Sequence, residues 1–271
     1  MPELPEVETT RRGIEPYVTG RRVLRVVVRE PRLRWRVTPK LVREFSGQTV
    51  RSVTRRGKYL LLATAAGTAI LHLGMSGNLR VVPATQAADP HDHVDIVLDS
   101  GDCLRLRDPR RFGCLLWTRD DPQKHKLLRD LGPEPLSADF SGDTLFEKSR
   151  GRKRAIRDFL LDSQVLAGIG NIYANEALFA AGLRPTRAAG RINREQYARL
   201  AAAIRATLNR ALKAGGTTLR DFRNGRGEPG YFQLSLNVYG REGEPCRVCS
   251  TVIKGRRLGQ RSAFFCPKCQ S

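Results

Sequence analysis

The spacing of hydrophobic positions changes about halfway along this 271-residue chain. Up to residue 131 they come in short runs of strand-forming residues. These are Val23-Leu24-Arg25-Val26-Val27-Val28, Tyr59 to Leu62, Ala69 to Leu73, Val94 to Leu98, Cys103 to Leu106 and Cys114 to Trp117. Glycine, proline and Asp-Ser-Gly punctuation separates the runs, as an antiparallel sandwich or barrel requires. A helix precedes them, running to about Tyr17, and Pro83 to Asp92 reads as a surface loop. Cys103 and Cys114 fall in apolar strands and are expected to be buried and inert. After Leu131-Gly132-Pro133-Glu134-Pro135, which reads as a linker, the spacing becomes helical. Asn193 is the cap of the clearest helix. Tyr197, Leu200, Ala201, Ile204, Leu208 and Leu212 form its apolar stripe, and Lys213 with Gly215-Gly216 ends it. Ile156, Phe159 and Leu160, then Tyr173, Ala177 and Leu178, mark two earlier helices separated by Gly168-Ile169-Gly170-Asn171. A small cysteine module closes the chain from Tyr239. No internal repeat or low-complexity segment breaks this order, and the expected fold class is α+β and multidomain.

Charge narrows the partners. The chain has 48 Lys+Arg against 27 Asp+Glu, a formal net charge of +21. That excess favours a polyanion, and nucleic acid comes before a membrane surface. No apolar run approaches the roughly 18 residues of a membrane span. The acidic, polar start is not a signal peptide. At this length two domains are a better expectation than one. Six cysteines are too few for a disulfide scaffold, and four have metal spacing, which points to a reducing cytoplasm.

Those four carry the strongest single signal. Cys246-x2-Cys249 and Cys266-x2-Cys269 stand 16 residues apart, a spacing that fits a closed four-thiolate zinc site of structural type. The intervening loop carries Lys254, Arg256, Arg257 and Arg261, which the metal would hold in fixed positions as a clamp on phosphates.

The N-terminus offers different chemistry. With Met1 removed, Pro2 carries a free secondary amine, and α-amino groups titrate at about 7.7–8.0. Such an amine beside a sugar C1′ is a nucleophile that forms a Schiff base. Pro5, Glu6 and Glu8 suit the first turn of a helix, so Glu3 and Glu6 share one helix mouth with the amine. Lys58, in Arg55-Arg56-Gly57-Lys58-Tyr59, is either a solvated edge lysine or an ammonium near a phosphate and Pro2. Gly168-Ile169-Gly170-Asn171 is either a plain turn or a phosphate-binding helix start with the Asn171 amide as an added donor. His72-Leu73-Gly74-Met75-Ser76-Gly77 and Asp108-Pro109-Arg110-Arg111-Phe112-Gly113 are glycine-rich turns at strand ends. Such turns can display Met75 and Phe112 as wedges for a base stack, with Arg110 facing an unpaired base. Core packing is the alternative for either apolar side chain. His91-Asp92-His93 holds metal-type donors, but a loop-to-strand junction explains it as well.

Together these motifs resemble formamidopyrimidine-DNA glycosylase, a bacterial base-excision repair family for oxidised purines. The resemblance runs through Pro-Glu-Leu-Pro-Glu-Val-Glu-Thr at the start, the Lys58 stretch and the His-Leu-Gly-Met-Ser-Gly turn. It continues through Asp-Pro-Arg-Arg-Phe-Gly, Gly-Asn-Ile-Tyr and the four-cysteine finger. It implies an N-terminal β-sandwich over 1–131, a helix-two-turn-helix domain over 132–236 and a zinc finger over 237–271. One structural zinc ion and a cleft for damaged double-stranded DNA are also implied, as is a monomer in the bacterial cytoplasm, associated with the nucleoid.

The resemblance also assigns roles. Pro2 is the Schiff-base nucleophile and Glu3 the general acid/base, with Lys58 and Arg261 counted in the catalytic set. Lys58, Asn171 and Arg261 hold phosphates. Glu6 touches the flipped lesion, and Met75, Arg110 and Phe112 fill the gap it leaves. His72, His93 and Arg157 complete the expected DNA contacts, although the family often has lysine where Arg157 stands. An arginine keeps the charge and loses the compact ammonium. The segment from Gly216 to Tyr231 corresponds to a lid over the flipped base. Two alternatives stay open at this point. One is an endonuclease VIII-like enzyme for oxidised pyrimidines; the other is a DNA-binding zinc-finger protein with an inert N-terminus.

Overall fold

The computed structural model describes residues 2–215 and 236–271, and these divide into two compact units, one of residues 2–129 with 214–215 and one of residues 130–213 with 236–271. The lid segment expected from Gly216 to Tyr231 lies outside the described residues.

The first unit comprises α1 (Leu4–Val18), β1 (Val23–Val28), α2 (Pro39–Phe45), β2 (Ser52–Arg56), β3 (Tyr59–Ala63), β4 (Thr68–His72), β5 (Asn78–Pro83), β6 (Asp92–Leu98), β7 (Asp102–Arg107) and β8 (Cys114–Thr118). The strands make two four-stranded antiparallel sheets, ordered β1-β6-β7-β5 and β2-β3-β4-β8. Alternation along the strands gives each sheet an apolar inner face. Leu60, Leu62, Leu71 and Leu115 from one sheet meet Val26, Ile96, Leu104 and Leu106 from the other, with Val7, Ile14 and Val18 of α1 in the same core. Burying each such side chain contributes about 1.5–3 kcal/mol relative to exposure. The expected β-sandwich is present.

Strand β6 is buried along its whole length, including Asp92 and Asp95. Arg105, itself buried, donates to Asp95 at 2.8 Å, and Arg80 donates to both oxygens of Asp92 at 2.9 Å. Buried carboxylates need such partners. Cys103 and Cys114 are buried as expected, and desolvation pushes their thiols up to about 11 and about 12.

The second unit comprises α3 (Gly142–Ser149), α4 (Ile156–Leu160), α5 (Asn171–Ala180), α6 (Arg194–Lys213) and an antiparallel hairpin of β9 (Lys254–Leu258) and β10 (Arg261–Phe265). Asn193 caps α6 as its sequence predicts: Asn193 Oδ1 accepts from Gln196 N at 2.8 Å, and Gln196 Oε1 accepts from Asn193 N at 3.1 Å. Helices α3 and α5 both pack on α6. At Gly142 the approach is so close that a Cβ would stand 2.5 Å from Ala198 Cα, so glycine is required there. The buried carboxylate of Glu176 on α5 accepts the backbone N–H groups of Asn237, Val238 and Tyr239, which fixes the start of the cysteine module. No described helix is long and apolar enough to cross a membrane.

Candidate functional site

Helix α1 begins in a reciprocal capping arrangement. Glu6 Oε2 accepts the Glu3 N–H at 2.8 Å, and the Glu3 carboxylate accepts the Glu6 N–H. Both side chains are buried. Pro5 falls in the first turn, where a missing N–H costs nothing. The helix is fastened to the sheet by Glu8, which meets Arg55 of β2 at 3.2 Å, and by Arg11, which donates to Val53 O at 3.2 Å. Burial alone would raise the Glu8 carboxyl; Arg11, Arg12 and Arg55 outweigh it and hold the group below its usual range. Helix α1 packs on β2 and β3, whose connecting turn carries Lys58.

His72 closes β4 opposite Tyr59, with ring centroids 4.7 Å apart. Its Nδ1 accepts the Gly74 N–H at 2.9 Å. Burial, reinforced by the charges of Lys58 and Arg34, pushes His72 down to about 4, so the ring is neutral at pH 7.

Beyond His72 the two glycine-rich turns meet. A Cβ on Gly74 would lie 2.4 Å from Gly113 N and 2.5 Å from the Phe112 carbonyl carbon, and Gly74 has φ of +66°. Only glycine allows this approach. Met75 is 41% exposed and Phe112 44%, so neither belongs to the core. The Arg110 guanidinium carbon stands 4.8 Å from the Phe112 ring centroid, a cation–π distance. Underneath, the fully buried Asp108 accepts from Ser76 Oγ at 2.9 Å and from Gly113 N at 2.7 Å. Ser76 Oγ in turn accepts from Arg110 N at 3.2 Å.

His93, expected as a DNA contact, is buried in the DNA-free chain, with Nε2 2.9 Å from Asp108 O. The Asp92 beside it is taken by Arg80, and among the described residues the cysteines form the one group of metal-type donors.

In the second unit, Asn171 opens α5 after Gly170, and Arg261 opens β10. Asn171 Nδ2 donates to Ser262 O at 2.9 Å. Arg157, expected as a DNA contact, has a buried side chain in the DNA-free chain. It donates to Asn171 Oδ1 at 3.1 Å, to Leu258 O at 2.9 Å and to Arg261 O at 3.3 Å. Burial pushes its guanidinium down from its usual value, with Asp158 acting in the opposite direction. Asn175 adds a further tie, its Oδ1 accepting the Phe264 N–H at 2.8 Å.

The four cysteine sulfurs lie within 4.8 Å of one another. Cys249 Sγ is 3.4 Å from both Cys266 Sγ and Cys269 Sγ, and Cys246 Sγ is 3.9 Å from Cys269 Sγ. Zinc–sulfur bonds of about 2.3 Å give tetrahedral edges of about 3.8 Å, so the donor set fits one structural Zn²⁺. The N–H groups of Val248 and Cys269 point at Cys246 Sγ and Cys266 Sγ, each at 3.4 Å.

Comparison with known proteins gives three family matches along the chain. Residues 1–115 match the formamidopyrimidine-DNA glycosylase N-terminal domain, 131–223 the H2TH domain of the same glycosylase, and 243–271 the zinc finger found in FPG and IleRS. The formamidopyrimidine-DNA glycosylase of Stutzerimonas stutzeri (strain A1501) is 56% identical over 270 residues, covering 100% of each chain. The chain belongs to the formamidopyrimidine-DNA glycosylase family.

Solved structures of the family are similar throughout. The MutM (FPG) protein of Thermus thermophilus is 41% identical with a TM-score of 0.89, covering 99% of this chain and 98% of that one. A point mutant of the Lactococcus lactis FPG, solved with a Fapy-dG containing DNA, is 32% identical with a TM-score of 0.93 over 100% of both chains. Within this glycosylase framework, the sequence reading missed Ser76 and Asp108, which tie the two displaying turns together, and Asn175 and Glu176, which tie the cysteine module to α5. Their signal was faint. Only Asp108, before a proline in a turn, carries a recognisable turn preference.

Proposed function

We propose that the chain is a base-excision repair DNA glycosylase with AP lyase activity that removes oxidised purines, 8-oxoguanine and formamidopyrimidines, from double-stranded DNA. The start of α1 carries this reading: Pro2, whose amine is freed once Met1 is removed, is followed by two buried carboxylates, in a chain that matches its family from end to end. A base inside a stack cannot be attacked, so the damaged nucleotide is flipped out at a cost of roughly a few kcal/mol. Met75 and Phe112 restore part of the lost apolar contact. Arg110 donates to the O2 and N3 acceptors of an orphaned cytosine. An adenine at that place would set a donor against a donor, so cytosine is preferred.

The Pro2 amine attacks C1′ and the base leaves with the electrons of the glycosidic bond; the C1′–O4′ bond then breaks, O4′ takes up a proton, and the opened sugar carries an iminium at C1′. Glu3 transfers protons around the sugar. The cationic carbon acidifies the C2′ proton, and eliminations on the 3′ and then the 5′ side leave a one-nucleotide gap. Glu6 contacts the lesion, and Lys58, Asn171 and Arg261 hold flanking phosphates. The zinc supplies no step; bound by Cys246, Cys249, Cys266 and Cys269, it fixes the β9–β10 hairpin. We assign the same roles to the three sequence segments 1–131, 132–236 and 237–271, in a monomer that works on the bacterial nucleoid.

Borohydride trapping tests the assignment. Demethionylated protein is expected to form a covalent adduct with an oxidised-purine duplex, and Pro2→Gly to keep damage-specific binding while losing most strand cleavage. Full cleavage by Pro2→Gly refutes the nucleophile. Preference for an oxidised-pyrimidine duplex would favour the endonuclease VIII-like alternative, and no adduct on either duplex would leave only a DNA-binding protein.

A further inference from the structure

We infer that Asp108 and Ser76 are positioning residues that set the opposite-base selectivity of the enzyme. They join the turn carrying Met75 and the turn carrying Arg110 and Phe112 into one wedge of fixed shape. The inference rests on the proposed role of those three side chains.

The geometry is specific. Asp108 is fully buried and acts at both carboxylate oxygens, one on the hydroxyl of Ser76, the other on the N–H of Gly113. Ser76 follows Met75 directly, and Gly113 follows Phe112 directly. One carboxylate therefore reaches the residue next to each displayed apolar side chain. The Ser76 hydroxyl completes the loop by accepting the Arg110 N–H at 3.2 Å. The Asp108 carbonyl is held as well, by His93 Nε2 and by the Arg111 N–H at 3.0 Å. Arg111 has φ of +57°, a conformation that a non-glycine residue keeps only when its surroundings hold it there. The chain thus fixes the Arg110 backbone from both sides while leaving its side chain exposed over Phe112.

Base reading by a single guanidinium depends on where its donors stand. Rejection of a base edge that presents a donor requires that the guanidinium cannot move aside. A wedge whose two turns can slide apart still fills the gap but discriminates less. The hydrogen bonds beneath it accordingly act on the ratio of rates opposite cytosine and adenine, beyond any effect on either rate alone.

Single-turnover excision from lesion·C and lesion·A duplexes tests this with Ser76→Ala, Ser76→Thr, Asp108→Ala and Arg110→Ala. Ser76→Ala removes the bridge but keeps the Asp108–Gly113 bond. It is expected to lower the C-over-A ratio roughly five-fold, the weight of about one hydrogen bond. Ser76→Thr keeps the hydroxyl and restores the ratio. Asp108→Ala lowers the ratio further if it folds, and Ser76→Ala answers the question if it does not. A purely structural role would slow both duplexes in proportion and leave the ratio at the wild-type value; that result overturns the inference. If Arg110→Ala also leaves the ratio unchanged, the wedge assignment itself has failed. A loss of ratio in Arg110→Ala with none in Ser76→Ala or Asp108→Ala rejects only the positioning role.

Discussion

Replacing Arg157 by alanine is expected to loosen the cysteine hairpin even with no DNA present. The side chain is fully buried and donates to two carbonyls of the β9–β10 turn, Leu258 O at 2.9 Å and Arg261 O at 3.3 Å, and to Asn171 Oδ1 at 3.1 Å. A hydrogen bond from a charged donor is worth about 1.5–3 kcal/mol. The sum must be discounted. The 3.3 Å contact is long, Asn171 Oδ1 keeps a second donor in Asn175 Nδ2 at 3.3 Å, and the buried guanidinium carries a desolvation cost that alanine removes. A net loss of about 2–4 kcal/mol remains. For a unit of this size that is a fall in Tm of roughly 10 °C. Arg157→Lys should fall between the two, because an ammonium cannot span three acceptors that a planar fork reaches together. Calorimetry of the DNA-free, zinc-saturated protein gives the readout. A phosphate contact at the surface would leave this stability unchanged or improve it, since alanine would then remove one positive charge from a very basic protein. A Tm within about 2 °C of wild type would therefore refute the buried clamp.

Two further outcomes follow from the same geometry. His72 titrates near 6.5 when unfolded and is pushed down to about 4 when folded, so the unfolded chain binds the extra proton. Its contribution to stability should be flat above about pH 6.5 and decline as pH falls towards 4; urea midpoints of wild type and His72→Gln that run parallel across that window would contradict this. Chelating the zinc should unfold the β9–β10 hairpin and abolish tight binding to damaged duplex, with both restored by added Zn²⁺; binding that survives complete metal removal would show that the finger is not needed.

The strands that sequence reading found are the short, mostly apolar runs, such as β3 and β6. It missed β2, whose Ser52-Val53-Thr54-Arg55-Arg56 has one buried residue, and β5, which ends in Pro83. Helix α2 has seven residues with only Leu41 and Phe45 buried, too few to show a helical period. At the site, the residue types with distinctive chemistry were legible: the cysteine pairs, the Glu3 and Glu6 pair at the start of α1, and a methionine and a phenylalanine in glycine-rich turns. Burial was not. Arg157 and His93 are held by main-chain carbonyls, and no side-chain pattern announces a carbonyl. Asp108 was passed over for a related reason, since its tie to Gly113 and its carbonyl's tie to Arg111 both run to backbone N–H groups.

The reciprocal bonds between Glu3 and Glu6 bear on what kind of end this chain has. Free ends ordinarily wander, and a reactive group carried on one must be brought to its target anew in each encounter. Here the amide joining Pro2 to Glu3 is tied into the first turn of a fifteen-residue helix that is itself bolted to a sheet. On the proposed role of Pro2 as nucleophile, the freedom its amine would otherwise have to give up in the reaction is surrendered once, during folding. Replacing Glu6 by alanine for mechanistic purposes would return that freedom along with whatever chemistry the carboxylate performs. Glutamine, which keeps an acceptor for the Glu3 N–H, separates the two.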